Sequence, residues 1–203
     1  MANARLVPSR RRLGAARSSG STFAREVIET IVLTVIVFLV VNITARPYRV
    51  DGPSMQPGLY TNDLVMVNML AYDFGNPQRG DVIVLHPPSD PGVSYVKRVI
   101  GVPGDRISIT ANAVIVNGHT LREPYISPLD PSAPENTSVL PSITLGAKQY
   151  FVMGDNRQDS IDSRIFGSVP RANIVGKAEF VFWPLPMLHS IGTFPNVFGG
   201  VAG

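Results

Sequence analysis

The chain contains no cysteine among its 203 residues. Disulfide bonds, thiol catalysis and the usual cysteine-containing structural zinc sites are therefore excluded. Histidine is also scarce, since His86, His119 and His189 are the only three and their spacing matches no metal-binding motif. A mechanism based on serine, histidine and aspartate is poorly supported, because none of these histidines lies in a stretch dense with other polar side chains. We predict neither a metal nor a cofactor.

Acidic residues are absent from the first 25 residues, which carry six arginines. Residues 26–203 hold 12 basic and 15 acidic groups, so the net charge of +3 belongs to a short tail. A basic surface on the main body is not indicated, and we predict no nucleic-acid partner. The length suits one domain with a small appendage.

One long apolar run is present, the sixteen uncharged residues from Thr30 to Ala45. As a helix this run measures about 24 Å, so it needs the preceding residues from Phe23 to cross a bilayer core of about 30 Å. A soluble strand of this length is unusual. A cleaved signal peptide is a second interpretation, but Ile43-Thr44-Ala45 is a poor cleavage pattern. We predict a transmembrane helix over residues 26–45 that is retained in the lipid bilayer.

The arginines predict the orientation of this helix. Because positive charge stays on the cytoplasmic side, residues 1–25 are predicted to form a basic cytoplasmic tail and residues 46–203 an extracytoplasmic domain.

The region after Arg46 reads as short strands separated by Gly, Pro, Asn and Asp. This spacing predicts a mostly β fold, a curled antiparallel sheet or barrel-like domain that follows one N-terminal transmembrane helix. Residues 123–141 contain five prolines and predict a long inserted surface loop. The predicted strands are Asp63–Val67, Asp81–Leu85, Ser94–Gly101, Arg106–Thr110, Ala113–Gly118, Tyr150–Gly154 and Ala178–Trp183.

The stretch "VDGPSMQP" places a serine in a constrained loop. Gly52 permits backbone angles closed to other residues, and the prolines on either side of Ser54 restrict the chain further. A fixed hydroxyl with backbone amides beside it suits a nucleophile, although such turns also occur in ordinary loops.

Lys97 stands in the otherwise largely apolar run "YVKRVIG" and is one of only three lysines. Strand alternation puts Lys97 on one face with Tyr95 and Val99. Two interpretations are open. Either both cations of the run point to solvent from an edge strand, or Lys97 is partly buried and its lowered pKa makes it a general base.

A third stretch, "GDNRQDSIDSR", concentrates Asp, Asn, Arg and Ser directly after a predicted strand. Such a set suits either a hydrogen-bonded network packed against a site or a solvated turn.

Taken together and in this order, "DGPSMQP", "GDVIVL", "YVKRVIGVPGD" and "GDNRQDSIDSR" resemble the motifs of the bacterial type I signal peptidases. These are membrane-anchored Ser-Lys proteases that remove signal peptides from exported proteins. The resemblance covers roughly residues 27–184. It implies a serine endopeptidase whose partners are signal peptides of exported preproteins and the lipid bilayer, and which cleaves after small residues at −1 and −3.

The resemblance also implies individual roles. Ser54 corresponds to the nucleophile and Lys97 to the general base, while a hydroxyl at Ser160 orients the lysine. Where some members carry an oxyanion-binding serine, this chain has Gly52, as other members do. Structural ion pairs correspond to Arg98, Asp155, Asp162 and Arg164. The walls of the substrate site correspond to Tyr48, Val50, Asp51, Leu59, Val65, Val84, Tyr95 and Val96.

Two alternatives remain at this point. A self-cleaving or dedicated processing protease could share the Ser-Lys site, as do repressors that look similar around these residues. Such repressors carry a DNA-binding helix pair in place of an anchor, so the long apolar run counts against this alternative. An inactive anchored scaffold could keep the fold, although it would have no need of Ser54, Lys97 and Ser160 together.

Overall fold

The fold is given by a computed structural model, which describes residues 19–111, 113–126 and 139–201. Most of the predicted basic tail and residues 127–138 of the predicted loop lie outside this description. The chain divides into two compact units, residues 1–41 and residues 42–203.

Helix α1, Ser19–Thr44, accounts for the long apolar run. Its segment Phe23–Thr44 has 22 residues and is long and apolar enough to cross a membrane, at about 33 Å. None of that segment is buried inside the protein, unlike the core helix of a soluble domain. The helix ends one residue before the predicted boundary, because Ala45 begins a strand.

A curled antiparallel sheet forms most of the second unit, which confirms the predicted mostly β fold. Its strands are β1 Ala45–Arg49, β2 Leu64–Asn68, β3 Val82–Leu85, β4 Tyr95–Gly101, β9 Gln149–Met153, β10 Val169–Pro170, β11 Ile174–Trp183 and β12 His189–Ser190. They have the order β1-β2-β11-β3-β4-β9-β10, and β12 pairs with β11.

A smaller antiparallel sheet contains β5 Arg106–Ile109, β6 Val114–Val116, β7 His119–Thr120 and β8 Leu140–Thr144. Its order is β7-β6-β5-β8. Two short helices are α2 Ser163–Phe166 and α3 Pro195–Phe198.

Three strands that the sequence did not predict contain proline and lie at sheet edges. Pro47 is in β1, Pro141 in β8 and Pro170 in β10, and each of these strands ends its sheet. Proline cannot donate a ladder hydrogen bond, so it is tolerated only where one side of a strand is unpaired. Proline argues against a strand in the middle of a sheet, but it is compatible with a strand at the edge.

The predicted loop over residues 123–141 extends two residues too far at its C-terminal end. Leu140 pairs with Ile109 in the smaller sheet, so the last two residues of the predicted loop are strand. Residues 123–126 are outside any helix or strand, but Tyr125 is buried, and Glu123 forms an ion pair with Arg157 at 2.6 Å. Both ends are therefore held by contacts that join residues distant in sequence.

Candidate active site

Ser54 lies in a loop that is anchored on both sides. The neighbouring Met55 and the nearby Leu59 are almost completely buried, and the amide of Leu59 donates to the carbonyl of Met55 at 2.9 Å. The loop is tied to the end of β9 as well, because the backbone amide of Asn156 donates to the Ser54 carbonyl at 3.1 Å. These contacts hold in place the stretch of backbone that carries the Ser54 hydroxyl.

Lys97 lies in β4, opposite Ile83 of β3, and only 3% of its surface is exposed. Its Nζ is 2.7 Å from Oγ of Ser54, and the ring centroid of Tyr95 is 5.2 Å away. The buried-lysine interpretation is therefore correct, and the solvent-facing edge strand is wrong. Two residues that are 43 positions apart in the sequence form a hydrogen-bonded pair.

Burial lowers the pKa of Lys97 to about 8, because loss of solvent penalises the ammonium form. The carboxylates of Asp162 and Asp155 oppose this shift, and Arg164 adds to it. At pH 7 about a tenth of such lysines are neutral, compared with roughly one in 2,500 for a free lysine. A neutral amine beside a hydroxyl can accept its proton, which is the requirement for a general base.

Backbone donors for a developing oxyanion are available beside Ser54. Within the part of the chain that the structure describes, the Ser54 amide donates to no backbone carbonyl. Gly52 has a φ of +87°, so any other residue there would be strained, although a Cβ would meet no atom. The conformation explains glycine at this position, and the site offers no side-chain hydroxyl from residue 52.

Two buried ion pairs surround the lysine. Arg98 binds the carboxylate of Asp155 through two hydrogen bonds of 2.9 and 2.7 Å. Arg164 binds Asp162 in the same bidentate way, with both distances at 2.8 Å. Burial alone would raise the pKa of Asp162, but the hydrogen bonds and charge of Arg164 outweigh it and lower that pKa. All four residues that the family resemblance implied as ion pairs are thus paired.

Ser160 is close to the site, but it does not make the hydrogen bond to Lys97 that the resemblance implied. Its Oγ is buried and meets no group of the described residues with full hydrogen-bond geometry, although it lies close enough to the Asp162 carboxylate to help lower the pKa of that group. A Cβ added to Gly154 would lie 2.3 Å from this Oγ and 2.4 Å from the Ser54 carbonyl oxygen. Gly154 therefore allows the Ser160 side chain and the Ser54 loop to approach the same point of the backbone.

Six of the eight implied substrate walls meet in one hydrophobic cluster, and most of them are covered. Val50, Leu59, Val65 and Val84 are at most 4% exposed, so they support the site from beneath. Of the other four, Asp51 is exposed and Tyr95 packs in a different cluster, beside Phe166. The six that cluster together are Tyr48, Val50, Leu59, Val65, Val84 and Val96.

His86 and His189 have other partners. A ring nitrogen of His86 lies 2.8 Å from the Val93 carbonyl, and the nitrogens of His189 contact backbone carbonyls of Met187 and Gly58. Among the described residues no group of three or more His, Cys, Asp or Glu could hold a metal ion. Two pockets of about 660 and 870 Å³ are lined by residues other than Ser54 and Lys97, so the hydrogen-bond geometry identifies the site and pocket volume does not.

Sequence reasoning missed two groups of supporting residues. Asn156 and Arg157 stand inside the quoted motif but were given no role, and Arg157 binds the Gly154 carbonyl as well as Glu123. Their position in a dense polar motif was the available signal. Gly192 and Phe194, which contact Arg98, carried no signal in the sequence.

Comparison with known proteins gives consistent matches. A family model described as "Signal peptidase, peptidase S26" matches residues 24–183. The chain is 38% identical over 181 residues to a signal peptidase I of Leptolyngbya laminosa, covering 84% of this chain and 85% of that protein. It is 37% identical over 175 residues to signal peptidase IB of Staphylococcus aureus, covering 78% and 88%. A crystal structure of a signal peptidase I from Enterococcus faecalis is 34% identical and covers 50% of this chain and 96% of that one, with a TM-score of 0.42 that is too low to compare the folds.

Proposed function

The chain belongs to the signal peptidase family, peptidase S26, and we propose that it removes signal peptides with Ser54 as nucleophile and Lys97 as general base. The observation that carries the assignment of the two residues is the 2.7 Å contact between Nζ of Lys97 and Oγ of Ser54. Family membership supports the serine endopeptidase activity and its substrate class, preproteins that carry signal peptides.

The proposed reaction follows from the geometry. Neutral Lys97 takes the proton of the Ser54 hydroxyl as Oγ attacks the scissile carbonyl. The negative oxygen of the tetrahedral intermediate receives a hydrogen bond from the Ser54 amide. The lysine ammonium then gives its proton to the leaving amine, and a water activated by the neutral amine hydrolyses the acyl-enzyme.

An extended peptide has one accessible strand edge next to the lysine. Residues 82–84 have no free edge for a substrate backbone, because β3 lies between β11 and β4 and both its edges are occupied. The N-terminal half of β4 is different. Its pairing with β9 begins at Arg98, which leaves the β9-facing edge of Tyr95 and Val96 for a substrate backbone.

The proposed specificity is for small residues at −1 and −3. Beneath the site, Val50 and Val84 are at most 4% exposed, so a large substrate side chain has to displace core residues. Displacing such packing costs about 1–3 kcal/mol, so leucine at −1 should lower kcat/KM by roughly 5- to 150-fold relative to alanine.

This experiment tests the function. Purified full-length enzyme in detergent is mixed with a preprotein that carries Ala at −1 or Leu at −1, and the new N-terminus is sequenced. Cleavage after Ala at the end of the signal peptide, with slow cleavage after Leu, is the expected result. Equal rates for both substrates contradict the specificity, and no cleavage of either contradicts the function.

We also propose that α1 anchors the enzyme with its N-terminus in the cytoplasm. The segment Phe23–Thr44 supplies the span, and the six arginines within residues 1–25 bias that end toward the cytoplasm.

The orientation can be checked by adding protease to intact cells or spheroplasts that express the chain with a tag at each end. The C-terminal tag should be digested and the N-terminal tag protected. The reverse pattern would contradict the topology.

A further inference from the structure

The guanidinium of Arg98, the residue next to Lys97, is bound on every side. Its Nε and Nη2 donate to the carboxylate of Asp155 at 2.9 and 2.7 Å. Its Nη1 donates to two backbone carbonyls, those of Gly80 at 2.8 Å and Gly192 at 2.7 Å. A cation held by four hydrogen bonds has little freedom to change its position.

Two aromatic rings complete this enclosure. The guanidinium carbon lies 4.3 Å from the ring centroid of Tyr125 and 5.2 Å from that of Phe194, within the range of cation–π attraction. The two ring centroids are 5.1 Å apart, so the rings also contact each other. We call Tyr125, Gly192 and Phe194 the Arg98 cage.

Two of the three cage residues lie outside the region that the family model matches. That match ends at residue 183, whereas Gly192 and Phe194 come later. Close packing holds this C-terminal segment in place, because a Cβ on Gly80 would lie 1.9 Å from the carbonyl oxygen of Thr193. The backbone of residues 192–194 therefore lies directly against the turn that precedes β3.

We propose that the C-terminal segment of residues 192–194 is a positioning element for the catalytic pair and acts through Arg98. The proposal rests on the function proposed above, since it assigns a role in bringing Ser54 and Lys97 together.

The contacts form a continuous path from the segment to both catalytic residues. Arg98 adjoins Lys97 in β4, so fixing the guanidinium restrains the strand that carries the base. Asp155 adjoins Asn156, whose backbone amide binds the Ser54 carbonyl and whose side chain binds the Pro53 carbonyl at 3.3 Å. The Arg98–Asp155 pair thus connects the lysine strand to the serine loop. Residues 192–194 supply one of the four hydrogen bonds to the Arg98 guanidinium and one of the two aromatic rings that contact it.

Loosening the cage should also change the protonation of the lysine. The charged groups around Lys97 are Asp162 and Asp155, which raise its pKa, and Arg164, which lowers it. When Arg98 neutralises Asp155 less completely, that carboxylate favours the ammonium form more strongly. The pKa of Lys97 should then rise.

The test compares three single variants of the full-length enzyme. Phe194→Leu removes the ring and keeps an apolar side chain, and Phe194→Tyr keeps the ring. Phe198→Leu is the matched change four residues further along the chain, at a core residue that is 7% exposed and outside the segment. Phe194→Leu should lower kcat about tenfold with little change in KM, because misplaced catalytic groups cost rate more than binding. Phe194→Tyr should restore kcat, and Phe198→Leu should lower Tm more than Phe194→Leu while leaving kcat near the wild-type value.

The protonation of Lys97 can be followed without substrate. The chain has only three lysines, Lys97, Lys148 and Lys177, so ¹³C-labelled lysine gives three ε-carbon signals that single substitutions assign. The midpoint of the Lys97 signal should move to higher pH in Phe194→Leu and stay unchanged in Phe198→Leu.

The outcomes separate this inference from the proposed function. If wild-type enzyme cleaves and Phe194→Leu matches it in kcat and in the lysine midpoint, the cage has no positioning role. If Phe198→Leu loses as much kcat as Phe194→Leu, the segment contributes stability alone. If wild-type enzyme cleaves nothing, the function fails, while the lysine midpoints still decide whether the cage acts on Lys97.

Discussion

Lys97→Arg is expected to lower kcat/KM by roughly 10²- to 10⁴-fold, about as much as Lys97→Ala. The guanidinium keeps a positive charge at this position but cannot be deprotonated, so it cannot accept the proton of the Ser54 hydroxyl. Ser54→Ala removes the nucleophile and sets the background rate. Steady-state kinetics with one preprotein at saturating and limiting concentrations measure all three variants.

The pH dependence of the wild-type enzyme provides the control for this prediction. The active form is the neutral amine, and burial lowers the pKa of Lys97 to about 8. Log kcat/KM should therefore rise with pH below about 8 and level off above it, as the neutral fraction grows from about a tenth at pH 7 to about nine-tenths at pH 9. Substantial activity in Lys97→Arg, or a profile that is flat between pH 6 and 9, would require a different base.

Asp155→Ala is expected to destabilise the domain by about 3–5 kcal/mol, because it leaves the Arg98 guanidinium buried without its carboxylate. Both partners are at most 3% exposed, so water cannot replace the lost oxygen atoms. For a chain of this size that corresponds to a fall in Tm of roughly 6–20 °C. Thermal unfolding of the full-length protein in detergent measures it.

Asp159→Ala is the matched control, since Asp159 lies in the same loop with an exposed side chain. It should change the free energy of unfolding by less than about 0.5 kcal/mol. The double variant Arg98→Met with Asp155→Leu should recover part of the Tm, because an apolar pair leaves no buried charge. If Asp155→Ala and Asp159→Ala had the same Tm, the buried pair would not stabilise the fold.

Local patterns in the sequence predicted the fold class, but they did not predict the strands at the edges of the sheets. Strand Val82–Leu85 is buried at every position, and its continuous apolar run is visible in the sequence. Strand β1 contains Pro47 and resembles a linker until its partner is known. Its pairing with β2 and its edge position come from tertiary contacts.

The chemistry of the site was predictable from ordered motifs, whereas its geometry was not. The motifs around Ser54, Lys97 and Asp155 indicated the signal peptidase family, which the family match confirms. They could not establish that Lys97 is buried, because the same alternating strand can face solvent or core. The pKa of Lys97 depends on that burial, and burial is a property of every element that packs around the strand.

By itself the sequence determined the classes of structure and reaction: an apolar helix of spanning length, a strand-rich body and a serine and a lysine in recognisable motifs. These are local properties, carried by composition, periodicity and spacing over a few residues. Only the tertiary structure decided the 2.7 Å contact of Ser54 with Lys97, the absence of a hydrogen bond between Ser160 and Lys97 among the described residues, and the cage that Gly192 and Phe194 form around Arg98. Each of these depends on atoms from segments far apart in the chain, whose distances follow from packing the whole core and cannot be read from any one segment.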